Sequence, residues 1–227
     1  VRRAGDAASR FTSPAPRQTP FPHSADEHDF HGAPGMNAFP KTVVTDGATI
    51  ELRPMVAADE PAVLEFARAL PVHDLLFLPR DITQPKVMAA WVRAIEKGLT
   101  TTLLAWDNDK VVGCAAIFRD PHSWSPHIGE LRVVTSSGVR GRGVGRAMIQ
   151  ACFAIMLQTG IEKIIAQMTI DQEGAIAVFE SLGFRSEGLL REHVQDRDGK
   201  RHDIVILSHD VAKVLGQTNT YGVARAF

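Results

Sequence analysis

Tyrosine occurs once and cysteine twice in these 227 residues, and no apolar run approaches the length of a membrane span. Each scarcity excludes a class of protein. Cys114 and Cys152 sit among apolar neighbours with no close C-x-x-C spacing, which gives neither a disulfide framework nor a zinc knuckle, and both are expected as buried thiols. The longest apolar stretch, around residues 148–157, is interrupted by Gln150 and falls short of the roughly 18 residues that crossing a bilayer demands. No membrane partner is expected, and the cytoplasm is the expected location. Charge of one sign is missing too. With Lys and Arg at 25 against Asp and Glu at 26, the formal net charge of -1 gives no overall attraction to nucleic acid. The Arg-Gly repeat at Arg140, Gly141, Arg142 and Gly143 lacks the stacking aromatics of an RNA-binding tract, so no nucleic-acid partner is expected. Any anion site in this chain has to be local.

What is present is the composition of an ordinary globular protein, 44% hydrophobic and 22% charged, in a chain long enough for one domain with tails. Residues 1–40 hold six of the thirteen prolines with no apolar periodicity, the mark of a segment that cannot bury enough surface to fold. Met36 is a candidate true start, because regular patterning begins just after it. A domain is expected over residues 41–211 and a short tail over 212–227. Alternation predicts strands at 49–53, 101–106, 111–118, 128–135, 163–168, 184–193 and 202–208. Apolar spacing of three and four predicts helices at 59–70, 85–97, 143–159 and 172–182, with Gly160 and Gly183 as C-terminal caps. Antiparallel hairpins flank one βαβ crossover, so the fold class is a mixed α/β (α+β) sheet with helices on its faces.

The chemistry lies in Val139, Arg140, Gly141, Arg142, Gly143, Val144, Gly145 and Arg146, between a strand and a helix. A helix start offers unpaired N–H groups and the positive end of a dipole, and glycines let an anion approach the backbone. Arg140, Arg142 and Arg146 add charge suited to a diphosphate. A dinucleotide fingerprint fails here, because Met148 stands where the third Gly or Ala belongs and Gln167 where the acid belongs. A nucleoside-triphosphate loop fails for want of Gly-Lys followed by Ser or Thr.

Arg140-x-x-Gly143-x-Gly145 resembles the acyl-CoA signature of the GNAT (Gcn5-related N-acetyltransferase) superfamily. The preceding strand through Glu130, Val133, Val134 and Thr135 and a second motif through Gln172, Ala175, Phe179, Gly183 and Phe184 extend the likeness. The resemblance implies a GNAT-like fold that transfers an acetyl group from acetyl-CoA to a primary amine by direct attack in a ternary complex. It implies that the main chain at Val133, Val134 and Thr135 pairs with the pantetheine arm. It also implies that Gly141 to Arg146 hold the pyrophosphate, with Arg140, Gln172 and Phe179 part of the cofactor site. Glu130 is the implied general base, with His127 second by nearness along the chain. The acceptor, a small-molecule or protein amine, is expected among residues 71–84, 119–127 and 191–201. A homodimer is left open.

Three departures stand out. Thr135-Ser136-Ser137 replaces a frequent Val-x-Pro, Gln172 replaces Asn, and Phe179 replaces a Tyr whose hydroxyl would protonate the leaving thiolate. A thiol of pKa about 8.5 leaves tolerably well unaided, so catalysis survives the loss. The alternative function is a non-catalytic acyl-CoA-binding sensor. Asp171 is expected to cap the helix after it. His193, Asp196, His202 and Asp203 read as a polar hairpin and not as ligands, so no metal is expected. His122 and Trp124 read equally as a border of the acceptor pocket or as packing on the sheet edge.

Overall fold

A computed structural model describes residues 39–76 and 78–211. The tails expected over 1–40 and 212–227 therefore lie almost wholly outside the described residues. Eight strands form one sheet: β1 (Lys41–Thr45), β2 (Ala48–Pro54), β3 (Thr100–Asp107), β4 (Lys110–Phe118), β5 (Ile128–Thr135), β6 (Lys163–Thr169), β7 (Arg185–Gln195) and β8 (Arg201–Asp210). Among the described residues four α-helices accompany it: α1 (Glu60–Ala69), α2 (Pro85–Glu96), α3 (Val144–Gln158) and α4 (Glu173–Ser181). The sheet order is β1-β2-β3-β4-β5-β6-β8-β7, and β5 with β6 is parallel while the remaining pairs are antiparallel.

Each face of the sheet carries its own apolar layer. On one side α3 buries Met148, Ile149, Cys152, Ile155 and Met156 against Leu131, Ile164 and Leu207. The spacing of those residues, one helical face over two turns, is why this segment coils and docks. On the other side α1 and α2 bury Val63, Phe66, Met88 and Val92 against Leu104, Cys114 and Val134. Pro85 starts α2 at a position where its missing N–H costs nothing. Gly129 of β5 lets Ile161, just after α3, pack close, because a Cβ there would stand 2.8 Å from the δ-methyl of that side chain and displace it.

The feature that makes a site is a fault in the sheet. β5 and β6 pair only at Ile128 with Lys163, Gly129 with Ile164, and Glu130 with Ile165. Beyond that point β5 keeps β4 and β6 keeps β8, while the facing edges of residues 131–135 and 166–169 part. A strand edge with unpaired amides and carbonyls is a template for another extended chain.

Candidate active site

The parted strands open into a cavity of about 580 Å³. Val133, Val134 and Thr135 of β5 form one wall, Gly141, Gly143, Val144 and Gly145 the end, and Gln172, Ala175 and Phe179 the other wall. Gly141 (φ +74°) and Gly143 (φ +82°) hold a left-handed backbone that a side chain would strain, and no atom stands within 4 Å of where a Cβ would project. The amides of the α3 N-terminus are therefore left uncovered, as an anion site demands. Each residue expected to hold the cofactor, apart from Arg142, lines this cavity.

The three arginines act differently from their sequence role. Arg140 forms an ion pair with Asp74, in the turn between α1 and α2, and donates to the Thr135 carbonyl. Arg142 donates through Nε to the Asp46 carbonyl at 2.8 Å, and Arg146 donates to Ser181. All three guanidinium groups tie the glycine loop to neighbouring elements.

Glu130 stands where the strands part, on the face that α1 and α2 cover, and its carboxylate is bonded to Arg132. Arg132 in this pair is buried, its side chain only 6% exposed, while that of Glu130 is 26% exposed. Its burial pulls the guanidinium down, and the Glu130 charge works against that pull. His127 immediately precedes β5, at the end away from the glycine loop, where its carbonyl accepts from Glu162 and Lys163. Trp124 packs on nothing, being fully exposed. Asp171 does not cap α4. Gln172 occupies the cap position without a side-chain bond, and the Asp171 carboxylate meets His73 Nε2 at 3.0 Å. Burial pushes the Asp171 carboxyl up, but hydrogen bonds from Thr169 and His73 outweigh it and hold the group below its ordinary value.

Sequence reasoning placed Asp171 and His202 apart and passed over His73 as a ligand. The structure brings one donor atom from each to within 4.8 Å of the other two. A loop histidine followed by Asp, in a region already assigned to the acceptor, was the only available signal; its partner Asp171 is 98 residues away.

This arrangement matches known proteins. The sequence model of the Acetyltransferase (GNAT) family matches residues 62–184. The chain belongs to this family. Its activity is accordingly acetyl-CoA-dependent N-acetyl transfer, and no observation favours the non-catalytic alternative. Among curated GNAT relatives, N-alpha-acetyltransferase 30 of Schizosaccharomyces pombe is 25% identical over 129 residues, which is 55% of this chain and 85% of that protein. Mycothiol acetyltransferase of Corynebacterium glutamicum is 35% identical over 83 residues, 36% of this chain, but the match spans only 27% of that longer protein. In fold, a GNAT acetyltransferase from Streptococcus pneumoniae superposes with a TM-score of 0.62 at 19% identity, covering 71% of this chain and 99% of that one. The yncA acetyltransferase of Salmonella typhimurium, whose structure holds its cofactor acetyl-CoA, has a TM-score of 0.62 at 18% identity over 71% of this chain and 94% of its own. No helix among the described residues is long and apolar enough to cross a membrane.

Proposed function

We propose that this GNAT protein acetylates a primary alkyl amine, of a small molecule or a protein terminus, by direct attack on acetyl-CoA held in the cavity between β5 and β6. The observation that carries the reading is the open edge of β5 at residues 131–135 leading to the bare amides of the α3 N-terminus. In this proposal Val133, Val134 and Thr135 pair with the pantetheine arm. Gly141 to Arg146 hold the pyrophosphate through N–H groups, and the N-terminal dipole of α3 favours its charge. An N–H of β5 near Val134 steadies the oxyanion that forms when the amine adds to the thioester; such a donor is worth about 100-fold or more in rate.

The reaction balances without a metal. The acceptor ammonium loses a proton, its nitrogen forms the C–N bond, the C–S bond breaks, and the thiolate departs with its electron pair to be protonated. Phe179 is buried against Phe184, ring centroids 4.8 Å apart, and can shape the wall around the sulfur but cannot donate that proton. Glu130 enters the proposal as a proton acceptor acting through water, with its bond to Arg132 the main obstacle. The acceptor class draws support from the names of the relatives, which include an N-alpha-acetyltransferase, a mycothiol acetyltransferase and a putative phosphinothricin acetyltransferase. Two buried cysteines without a disulfide support a reducing compartment, the cytoplasm.

The test is release of free thiol from acetyl-CoA against a panel of alanine-initiated peptides, polyamines and amino acids, beside calorimetric titration with CoA. Thiol release with at least one amine and a one-to-one CoA titration are expected. Gly143→Val, which forces a branched side chain into a left-handed backbone at the anion site, should weaken CoA binding about 5- to 30-fold, given the strain of roughly 1–2 kcal/mol. Absence of any CoA heat in the wild-type protein overturns the reading.

A further inference from the structure

Beside the mouth of the cavity stands a cluster that the transfer reaction described so far does not use. His73 comes from the 3-10 turn between α1 and α2, Asp171 from the end of β6, His202 from β8, and Asp196 from the β7–β8 turn. The His73 Nε2 lies 3.0 Å from the Asp171 carboxylate and 3.3 Å from Thr169 Oγ1. The His202 Nε2 lies 2.8 Å from Asp196 Oδ2. Asp196 is fixed in its turn, since Oδ1 accepts from the amides of Asp198 and Lys200 at 3.0 and 2.9 Å. The two imidazoles meet edge to face with centroids 5.2 Å apart. Asp171 also lines the cavity that the proposal assigns to acetyl-CoA.

A histidine that donates Nε2–H to a carboxylate keeps its lone pair on Nδ1, and the carboxylate steadies the imidazolium that forms when a proton arrives. Both rings are arranged in that way. The His73 side chain is 37% exposed and the His202 side chain 10%, so His73 is the ring an acceptor can reach and His202 the ring that backs it. Thr169 also meets His73, and Asp74, the next residue in the same turn, has its charge taken up by Arg140.

We propose that this cluster is the acceptor's proton-receiving site: His73, held by Asp171 and backed by the His202–Asp196 pair, takes the proton of a primary alkylammonium before its nitrogen attacks the thioester. The claim rests on the acetyl-transfer reading and deepens it. One proton passes from the ammonium to Nδ1 of His73, the free amine adds to the thioester carbon, and the C–S bond breaks. Of the two protons released over the cycle, one neutralises the thiolate and the other leaves to solvent. The substrate class this implies is an amine that arrives charged, drawn by the Asp171 carboxylate. Asp171, Asp196 and His202 are positioning residues.

The test compares two probe amines at saturating acetyl-CoA, ethanolamine, which is protonated at neutral pH, and hydroxylamine, which is not. For His73→Gln, kcat/KM with ethanolamine should fall by about 100-fold, the lower range for a positioned base, while the loss with hydroxylamine shrinks to a few-fold. In the same variant only amine already free in solution can react, so the rising limb of the ethanolamine pH profile should follow deprotonation of ethanolamine itself in the alkaline range, and Asp171→Asn should give a smaller loss of the same pattern. Equal losses with both amines show a purely structural histidine and overturn the proposal. So does an ethanolamine-selective loss in Glu130→Gln with His73→Gln unaffected. Calorimetry with CoA on His73→Gln should match wild type; failure of CoA to bind the wild-type protein sinks the transfer reading itself. Independently of any acceptor, nitrogen-15 spectra of the histidine rings should show neutral Nε2–H tautomers at both His73 and His202. Nδ1–H tautomers there overturn the proposal, as does a stoichiometric zinc ion on the same three donors whose removal abolishes turnover.

Discussion

At the scale of single residues, burial decides which titratable groups are tools and which are structure. Cys114 is fully enclosed and its thiol is pushed up to about 12; burial pushes Cys152 up as well, with the neighbouring Cys114 adding to it. Neither thiol can serve as a nucleophile. His209 is of the same kind. It lies 9% exposed against Phe153 and Phe184, and its Nδ1 has no hydrogen-bond partner among the described residues. Burial pulls its pKa below 6.5, and the nearby Asp210 only partly offsets this. The sign follows by linkage: the unfolded chain takes up the proton first, so stability is present above pH 6.5 and is lost as pH falls through that value and below. Melting temperature should drop between pH 7 and 5 in the wild-type protein, and His209→Leu should flatten that slope; an unchanged slope shows that other groups set the acid limit.

Among elements, the bond from Arg53 of β2 to Asp59 fixes where α1 begins. Arg53 grips both Asp59 oxygens at 2.8 and 2.7 Å, the Val56 amide adds a third bond at 2.9 Å, and the guanidinium lies over Trp106. Burial raises the Asp59 carboxyl, but those bonds win and leave it lowered. Asp59→Ala should cost about 2–3 kcal/mol in urea denaturation. That is less than the roughly 3–5 kcal/mol of a wholly enclosed pair, because the Arg53 side chain is 27% exposed. The elements themselves were legible in the sequence. Alternation and helical spacing are local properties, and each predicted strand and helix, with the caps at Gly160 and Gly183, stands within two residues of its expected bounds. The glycine loop was legible for the same reason, since φ above zero leaves a compositional trace. Contacts across the chain left none. Arg140 looked free for a phosphate and is bonded to Asp74, and Asp171 looked like a cap and is bonded to His73. Those pairings depend on how loops approach one another after the sheet has formed.

At the scale of the whole molecule, the sheet is two pieces joined at three residue pairs and by α3 behind them. Strands β1 to β5 lie on one side of the fault and β6, β8 and β7 on the other. A ligand that adds main-chain bonds along the facing edge of β5 joins them. CoA at about 100 times its Kd should stabilise the fold by about 2.7 kcal/mol. For a unit of this size that corresponds to a rise of about 5–10 °C in Tm. At the same CoA concentration the rise should be about half as large in Gly143→Val, and a wild-type protein with no shift at any CoA concentration places CoA elsewhere or nowhere.

The bond from Arg140 to Asp74 has a kinetic consequence. It couples the glycine loop to the very turn that presents His73. Loss of that bond should be felt one peptide unit away, at the His73 imidazole that Asp171 holds. Asp74→Asn is therefore expected to change amine turnover as well as CoA affinity, read by thiol release and calorimetry on the one variant.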